Sequence, residues 1–161
     1  MTLRMGFFSV LDFNLLRSRV ALMRTLQDRG LEVFAITPEG EYSDQLRTES
    51  FSFVPYPLDR TTFDPIVARR QVYELADLFR KLELNALHTF TLRPNAYGSL
   101  AARQVGLDTI INTVSGLGSL YSPHAGIRAA VLRRGIDRLT RFALRDSRRV
   151  IFQNQDDLQY Y

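Results

Sequence analysis

"RMGFFSVLDFNLL" (residues 4–16) runs from a near-continuous apolar stretch through a single acidic residue into a segment with a different period. Residues 4–10 do not alternate apolar and polar, which suits a strand covered on both faces. Beyond Asp12, the apolar residues Leu15, Leu16, Val20, Met23 and Leu26 recur at helical spacing, and Gly30 stands where a C-terminal cap belongs. One helix is predicted across "LLRSRVALMRTLQDRG". The turn between strand and helix, "LDFNLL", holds no glycine, so its backbone cannot close on a pyrophosphate as dinucleotide-binding folds require. That disfavours NAD and FAD. Asp12 reads either as an N-cap, a role Asn14 could share, or as a group presented to a site.

The same alternation continues along the chain. "LEVFAIT" (31–37), "FSFVPY" (51–56), "NALHTF" (85–90), "DTIINTV" (108–114) and "RRVIFQN" (148–154) read as strands. Between them come a short helix opened by Ser43 or Asp44, a long one from Pro65 to Leu82, one from Pro94 at N1 to Val105, and one over 127–144. Strands separated by helices imply crossover connections and parallel neighbours. The expected fold is α/β: a single Rossmann-like domain over 1–161, its doubly wound, mostly parallel sheet covered by helices on both faces. Ligands in such folds lie beyond the carboxyl ends of the strands, which points to residues 11–14, 38–41, 89–94, 115–124 and 154–157.

Composition narrows the chemistry. The chain has no cysteine, which excludes a disulfide framework, a Cys-ligated zinc and a thiol nucleophile. No stretch approaches the ~20 apolar residues that cross a bilayer, so membrane contact would be peripheral. Net charge is +4, Lys81 is the only lysine, and arginines crowd the last third of the sequence. On the helix over 127–144, Val131, Leu132, Ile136, Leu139 and Phe142 or Ala143 form an apolar stripe that leaves Arg134, Arg138, Arg141 and Arg145 on the other side. This is either a solvated face or a footing on anionic lipid headgroups or a diphosphate. No nucleic-acid motif accompanies it.

Individual motifs are weak. In "SGLGSLYS" (115–122), Gly116 and Gly118 give G-x-G, but Tyr121 occupies the third glycine position and the loop follows the fifth strand instead of the first. It reads as a turn with positive φ or as a ligand loop. His88 and His124 are the only histidines and are too separated for a metal site. His88 sits near a strand end, as a core residue or as a proton-transfer group.

Four stretches in order, "ITPEGEYSDQL" (36–46), "LHTFTLRPNAYGSLAARQVG" (87–106), "IINTVSGLGSLYS" (111–122) and "RVIFQNQDDL" (149–158), together resemble the N-terminal half of bacterial family 4 glycosyltransferases of the capsule, O-antigen and lipid-linked glycan branch. The resemblance implies one half of a GT-B fold, an acceptor-side domain whose nucleotide-sugar partner domain is absent from this chain and which is inactive alone. It implies transfer, with retention and without a cofactor or metal, from a nucleotide-sugar of the UDP class to a lipid-diphosphate-linked saccharide. The protein would be cytoplasmic and peripheral on the inner face of the cytoplasmic membrane, with Arg134, Arg138, Arg141 and Arg145 against anionic lipid.

Carried over by position, Asp12, Phe13, Asn14 and Arg19 line the cleft, and Phe13 and Asn14 stand where many members have a glycine pair. Thr89, Thr91, Asn95 and Tyr97 face acceptor, with His88 beside them. Ser115 takes the place of a common histidine, Gly116 and Gly118 give the tight turn, and Asn154 closes the edge. Asp12, His88 and Ser115 are the candidates for direct chemistry. Two alternatives stand beside this reading: a non-catalytic binding or membrane-anchoring subunit of a split transferase, and a sugar-nucleotide epimerase or dehydrogenase.

Overall fold

The computed structural model of the chain describes residues 2–58, 64–116 and 127–160, with side chains throughout except in 127–132. Six strands, β1 (Arg4–Phe8), β2 (Glu32–Thr37), β3 (Ser52–Pro55), β4 (Ala86–Phe90), β5 (Thr109–Val114) and β6 (Arg149–Phe152), form one parallel sheet in the order β3-β2-β1-β4-β5-β6. The chain builds outward from β1 to β3, crosses back, and builds the other way from β4. Between β1 and β4 the helices change faces, and this switch point opens a crevice at the carboxyl ends of the strands.

Successive residues of β1 serve opposite faces, as the pleat requires. Phe7 packs with Leu15 of α1 (Asp12–Ser18), Met23 of α2 (Val20–Asp28) and Leu46 of α3 (Ser43–Arg47). Phe8 packs with Leu75 and Phe79 of α4 (Pro65–Lys81), Ala101 of α5 (Leu92–Gln104) and Ala143 of α6 (Ile127–Leu144). This is the Rossmann-like arrangement expected from the alternation, and it explains why β1 carries apolar residues without interruption. Asp64 caps α4 by accepting from the Ile66 amide at 2.7 Å, with Pro65 at N1.

Four local features differ from the sequence reading. The single helix predicted after β1 breaks at Arg19 (φ −128°, ψ −17°) into α1 and α2, and the break lets the Arg19 guanidinium reach over the Phe90 ring at 4.6 Å. Helix α5 begins at Leu92, so Pro94 falls at the third helical position, still inside the turn where a missing N–H costs nothing. A short helix, α7 (Gln155–Tyr160), follows β6 because Asn154 accepts from the Asp157 amide at 2.8 Å.

The predicted apolar stripe of α6 is rotated. Among its described side chains Thr140 and Ala143 are buried, so of the stripe's alternatives Ala143 is the one turned inward, whereas Leu139 is exposed and Phe142 is 51% exposed. Helix α6 meets α5 through small residues, and Phe142 instead lies under the Arg103 and Arg145 guanidinia at 5.1 and 5.4 Å. Val131 and Leu132 lie outside the described side chains.

Candidate active-site edge

The crevice is bordered by two sets of loops with different chemistry. On the β1–β2 side, Asp12 is buried, and its carboxylate ties two loops together. It accepts from the amides of Phe13 (2.8 Å) and Tyr42 (2.8 Å) and from the Ser43 hydroxyl (3.1 Å). Leu11, not Asp12, is the N-cap of α1. Gly40 is required here: a Cβ at that position would stand 2.7 Å from the Asp12 carboxylate. Above this clasp lies a cleft of about 280 Å³ whose walls include Phe13, Pro38, Glu39, Glu41 and Tyr42. The Phe13 and Tyr42 rings lie 5.2 Å apart at 52°.

The β4–β5 side holds a neutral network. Asn112 donates to the hydroxyls of Thr89 (2.5 Å) and Ser99 (2.9 Å) and accepts from Ser147 (2.5 Å). Thr89 donates to Asn95 (2.6 Å), whose amide group donates to the Thr113 carbonyl (3.0 Å). Thr89, Asn95, Ser99 and Asn112 are all 0% exposed. Buried amides and hydroxyls are tolerable only when satisfied in this way, and here each link orients the next. Thr89 and Asn95 therefore lie inside the wall of the crevice, and Tyr97 is buried with the α4–α5 core. They shape the edge.

Thr91, at the N-cap of α5, has φ 73°, a region sparsely populated by residues with a Cβ. It is held there because its amide still donates to the Thr113 carbonyl (3.1 Å) while its own carbonyl accepts from Asn95 (3.0 Å). Strain of this kind costs roughly 1–3 kcal/mol and gathers at functional edges. Its hydroxyl is buried with no hydrogen-bond partner among the described residues.

His88 is buried between Phe7 and Phe90, with ring centroids at 5.5 and 4.3 Å, and its Nε2 meets the Thr113 hydroxyl at 2.9 Å. Burial, assisted by the nearby positive charge of Arg19, lowers its pKa to about 4. His88 is thus neutral at physiological pH and serves as a packed member of the wall. Burial also lowers the Arg19 pKa. Arg19 donates to the Ser18 carbonyl at 3.1 Å and has no carboxylate partner among the described residues.

Of the remaining predicted site residues, Asn14 is half-buried at the start of α1. Ser115 is exposed at the end of β5, and Gly116 follows with φ 137°, the turn expected of it. Gly118 and His124 lie outside the described residues. Asn154 is exposed but committed to capping α7. Arg134, Arg138, Arg141 and Arg145 are exposed on one face of α6, where Arg141 also donates to the Tyr160 carbonyl at 2.9 Å. Asn112, Ser99, Ser147 and Tyr42 were missed in the sequence reading. An amide in the middle of the apolar strand "TIINTV" was the available signal for the first.

A Rossmann-like domain with a polar crevice at its switch point is a class that serves many chemistries. Residues 10–154 match the family described as Glycosyl transferase 4-like, and the chain belongs to that family. It is 28% identical over 158 residues to the N,N'-diacetylbacillosaminyl-diphospho-undecaprenol alpha-1,3-N-acetylgalactosaminyltransferase of Campylobacter jejuni, covering 98% of this chain and 42% of that protein. The chain thus spans less than half the length of the curated relative it matches.

Among solved structures, sucrose-phosphate synthase from Thermosynechococcus elongatus superposes with a TM-score of 0.65 at 14% identity, covering 98% of this chain and 44% of that one. MurG of Acinetobacter baumannii gives 0.61 at 17%, covering 93% and 40%. The UDP-N-acetylglucosamine 2-epimerase of Rickettsia bellii gives 0.60 at 11%, covering 99% and 41%. These likenesses are of fold alone.

Proposed function

We propose that the chain is the acceptor-side, N-terminal domain of a glycosyltransferase that moves a sugar from a nucleotide-sugar of the UDP class to a lipid-diphosphate-linked saccharide in surface glycan synthesis. The observation that carries this reading is the family match over residues 10–154, supported by a relative whose name specifies an undecaprenol-diphosphate-linked substrate. The geometry is compatible with an acceptor role. The crevice is polar at its rim, the side chains at Ser115 and Gly116 are small, and the buried Asn112 network braces that rim. Of the three candidates for direct chemistry, Asp12 is engaged in its loop clasp and His88 is enclosed, whereas Ser115 is exposed. Donor binding and leaving-group stabilisation fall to a second domain, and this chain alone is inactive. No redox cofactor takes part.

The exposed face of α6 is proposed as the membrane contact. Arg134, Arg138, Arg141 and Arg145 project there, with Leu139 and Phe142 exposed at its flank. Each basic residue near an anionic headgroup layer contributes about 1 kcal/mol. Among the described residues no helix is long and apolar enough to cross a membrane. Flotation with anionic but not neutral liposomes is the expected behaviour, and equal flotation with both would remove this part.

The activity is tested on the native protein, immunopurified from source cells with an antibody raised against this domain and sized on the same blot. With radiolabelled UDP-N-acetylgalactosamine and an undecaprenol-diphosphate-linked N-acetylated saccharide, label is expected in the lipid fraction. Conversion of UDP-N-acetylglucosamine to its 2-epimer without lipid labelling would support the epimerase alternative. A band at the mass of this chain alone, with activity only after a second protein is added, would support the split-subunit reading.

A further inference from the structure

The two sides of the crevice differ in charge, and this separates the parts of a substrate they can take. Every ionisable wall residue of the β1–β2 cleft is an acid or a phenol: Asp12, Glu39, Glu41 and Tyr42. The amides of Phe13 and Tyr42, which a phosphate at this turn would need, already donate to the Asp12 carboxylate. A phosphate here would meet the Asp12 and Glu41 carboxylates, which have no cationic partner among the described residues, and find its natural donors already engaged.

The same cleft suits an uncharged ring. Phe13 is 37% exposed and stands beside Tyr42, so an aromatic surface faces the opening. The Arg17 guanidinium rests over the Phe13 ring at 5.4 Å and limits its freedom. Glu39 is held by Arg47, while Glu41 is exposed and has no hydrogen-bond or ion-pair partner among the described residues. Carboxylates at a rim accept from hydroxyl donors, and aromatic faces cover the C–H side of a saccharide. The volume, about 280 Å³, lies just under the roughly 300–1,000 Å³ of small-molecule sites and fits one ring more readily than a chain of them.

We infer that the Phe13–Tyr42 cleft is a subsite for a single uncharged pyranose, with Glu41 and Glu39 accepting from its hydroxyls, and that it excludes the diphosphate of the same substrate. The inference rests on the acceptor-domain reading for its place in a reaction but concerns a binding site that is measured without turnover. Anionic groups belong instead on the β4 side, where Arg19 lies over Phe90 with no carboxylate partner among the described residues.

The test uses the 161-residue chain, labelled with nitrogen-15 and titrated separately with methyl N-acetyl-α-galactosaminide and with sodium pyrophosphate. The sugar is expected to shift the amides of Phe13, Gly40, Glu41 and Tyr42, which pyrophosphate leaves unmoved. Phe13→Ala is expected to weaken sugar binding roughly tenfold, the upper range for loss of an aromatic contact. Glu41→Gln, which keeps the volume, weakens it less. Both positions are exposed, so unchanged spectra away from the cleft verify the fold of each variant. Absence of sugar-induced shifts, or pyrophosphate shifting these amides, overturns the subsite. Sugar shifts confined to Thr91 and Ser115 also overturn it, but leave the glycosyltransferase reading standing. Binding at the cleft in a native protein that transfers no sugar removes that reading and keeps the subsite.

Discussion

The two borders of the crevice solve the same problem with different materials. On the β1–β2 side one carboxylate gathers two amides and a hydroxyl, and its bonds to the two amides are only partly buried, so water can reach those donors. On the β4–β5 side a chain of neutral amides and hydroxyls runs from Ser147 through Asn112 and Thr89 to Asn95, most of it sealed from solvent. Burial decides the difference in consequence. A hydrogen bond is worth only about 0.5–1.5 kcal/mol net, but a buried group deprived of its partner costs roughly 1–3 kcal/mol. The inner border should therefore be the stiffer and the less forgiving.

The most severe test is Asn112→Ala, which deprives Thr89, Ser99 and Ser147 of a shared partner. About 4 kcal/mol of stability should be lost, read as a lower denaturation midpoint in urea at unchanged slope. A loss under 1 kcal/mol, smaller than the expected loss at Asp12, would show that the network is not the rigid element.

Acid probes the same border through His88. Its pKa is about 4 in the folded chain against 6.5 unfolded, so between these values the unfolded state binds the proton. The contribution is fully present above pH 6.5 and is lost as pH falls toward 4, a total of about 3 kcal/mol. Unfolding curves across this window should flatten in His88→Gln. An unchanged pH dependence in that variant would assign the acid sensitivity elsewhere.

On the outer border, Asp12→Ala should cost about 2 kcal/mol, since hydrogen bonds to a charged group are stronger but water can reach the freed amides. Its amide-exchange signature should be local, with Tyr42 and Ser43 losing protection while β5 keeps its own.

The smallest effect concerns a joint outside both borders. Arg103 donates to the carbonyls of Phe142 and Ala143, each at 2.6 Å, and so closes the end of α6 against α5. Arg103→Ala should cost about 1 kcal/mol by thermal or urea unfolding, because that joint is partly solvated. It should also free Phe142, and a gain in liposome binding would connect the joint to the proposed membrane face.

Much of the scaffold could be read from local pattern. The apolar run "RMGFF", Pro65 and the recurrent 3.6-residue period each express a preference that depends on near neighbours in the chain. The alternation of such segments sufficed for the parallel α/β class, and four stretches in order sufficed for the family.

The site was less accessible for a physical reason. Nothing near Asp12 in sequence shows that its partners are Tyr42 and Ser43, about thirty residues on, nor that Asn112 would be completed by Ser147. Thr89 and Asn95 carry groups that could face a ligand, and only the packing of α5 against β4 and β5 turns them inward. The break at Arg19 and the positive φ of Thr91 likewise carry no signal in the neighbouring sequence. Sequence by itself determined the strands, most of the helices, their order and the family, because helix and strand periodicity are local. Tertiary structure alone decided which polar residues became wall and which became surface, because burial and hydrogen-bond partnership are properties of distant segments brought together.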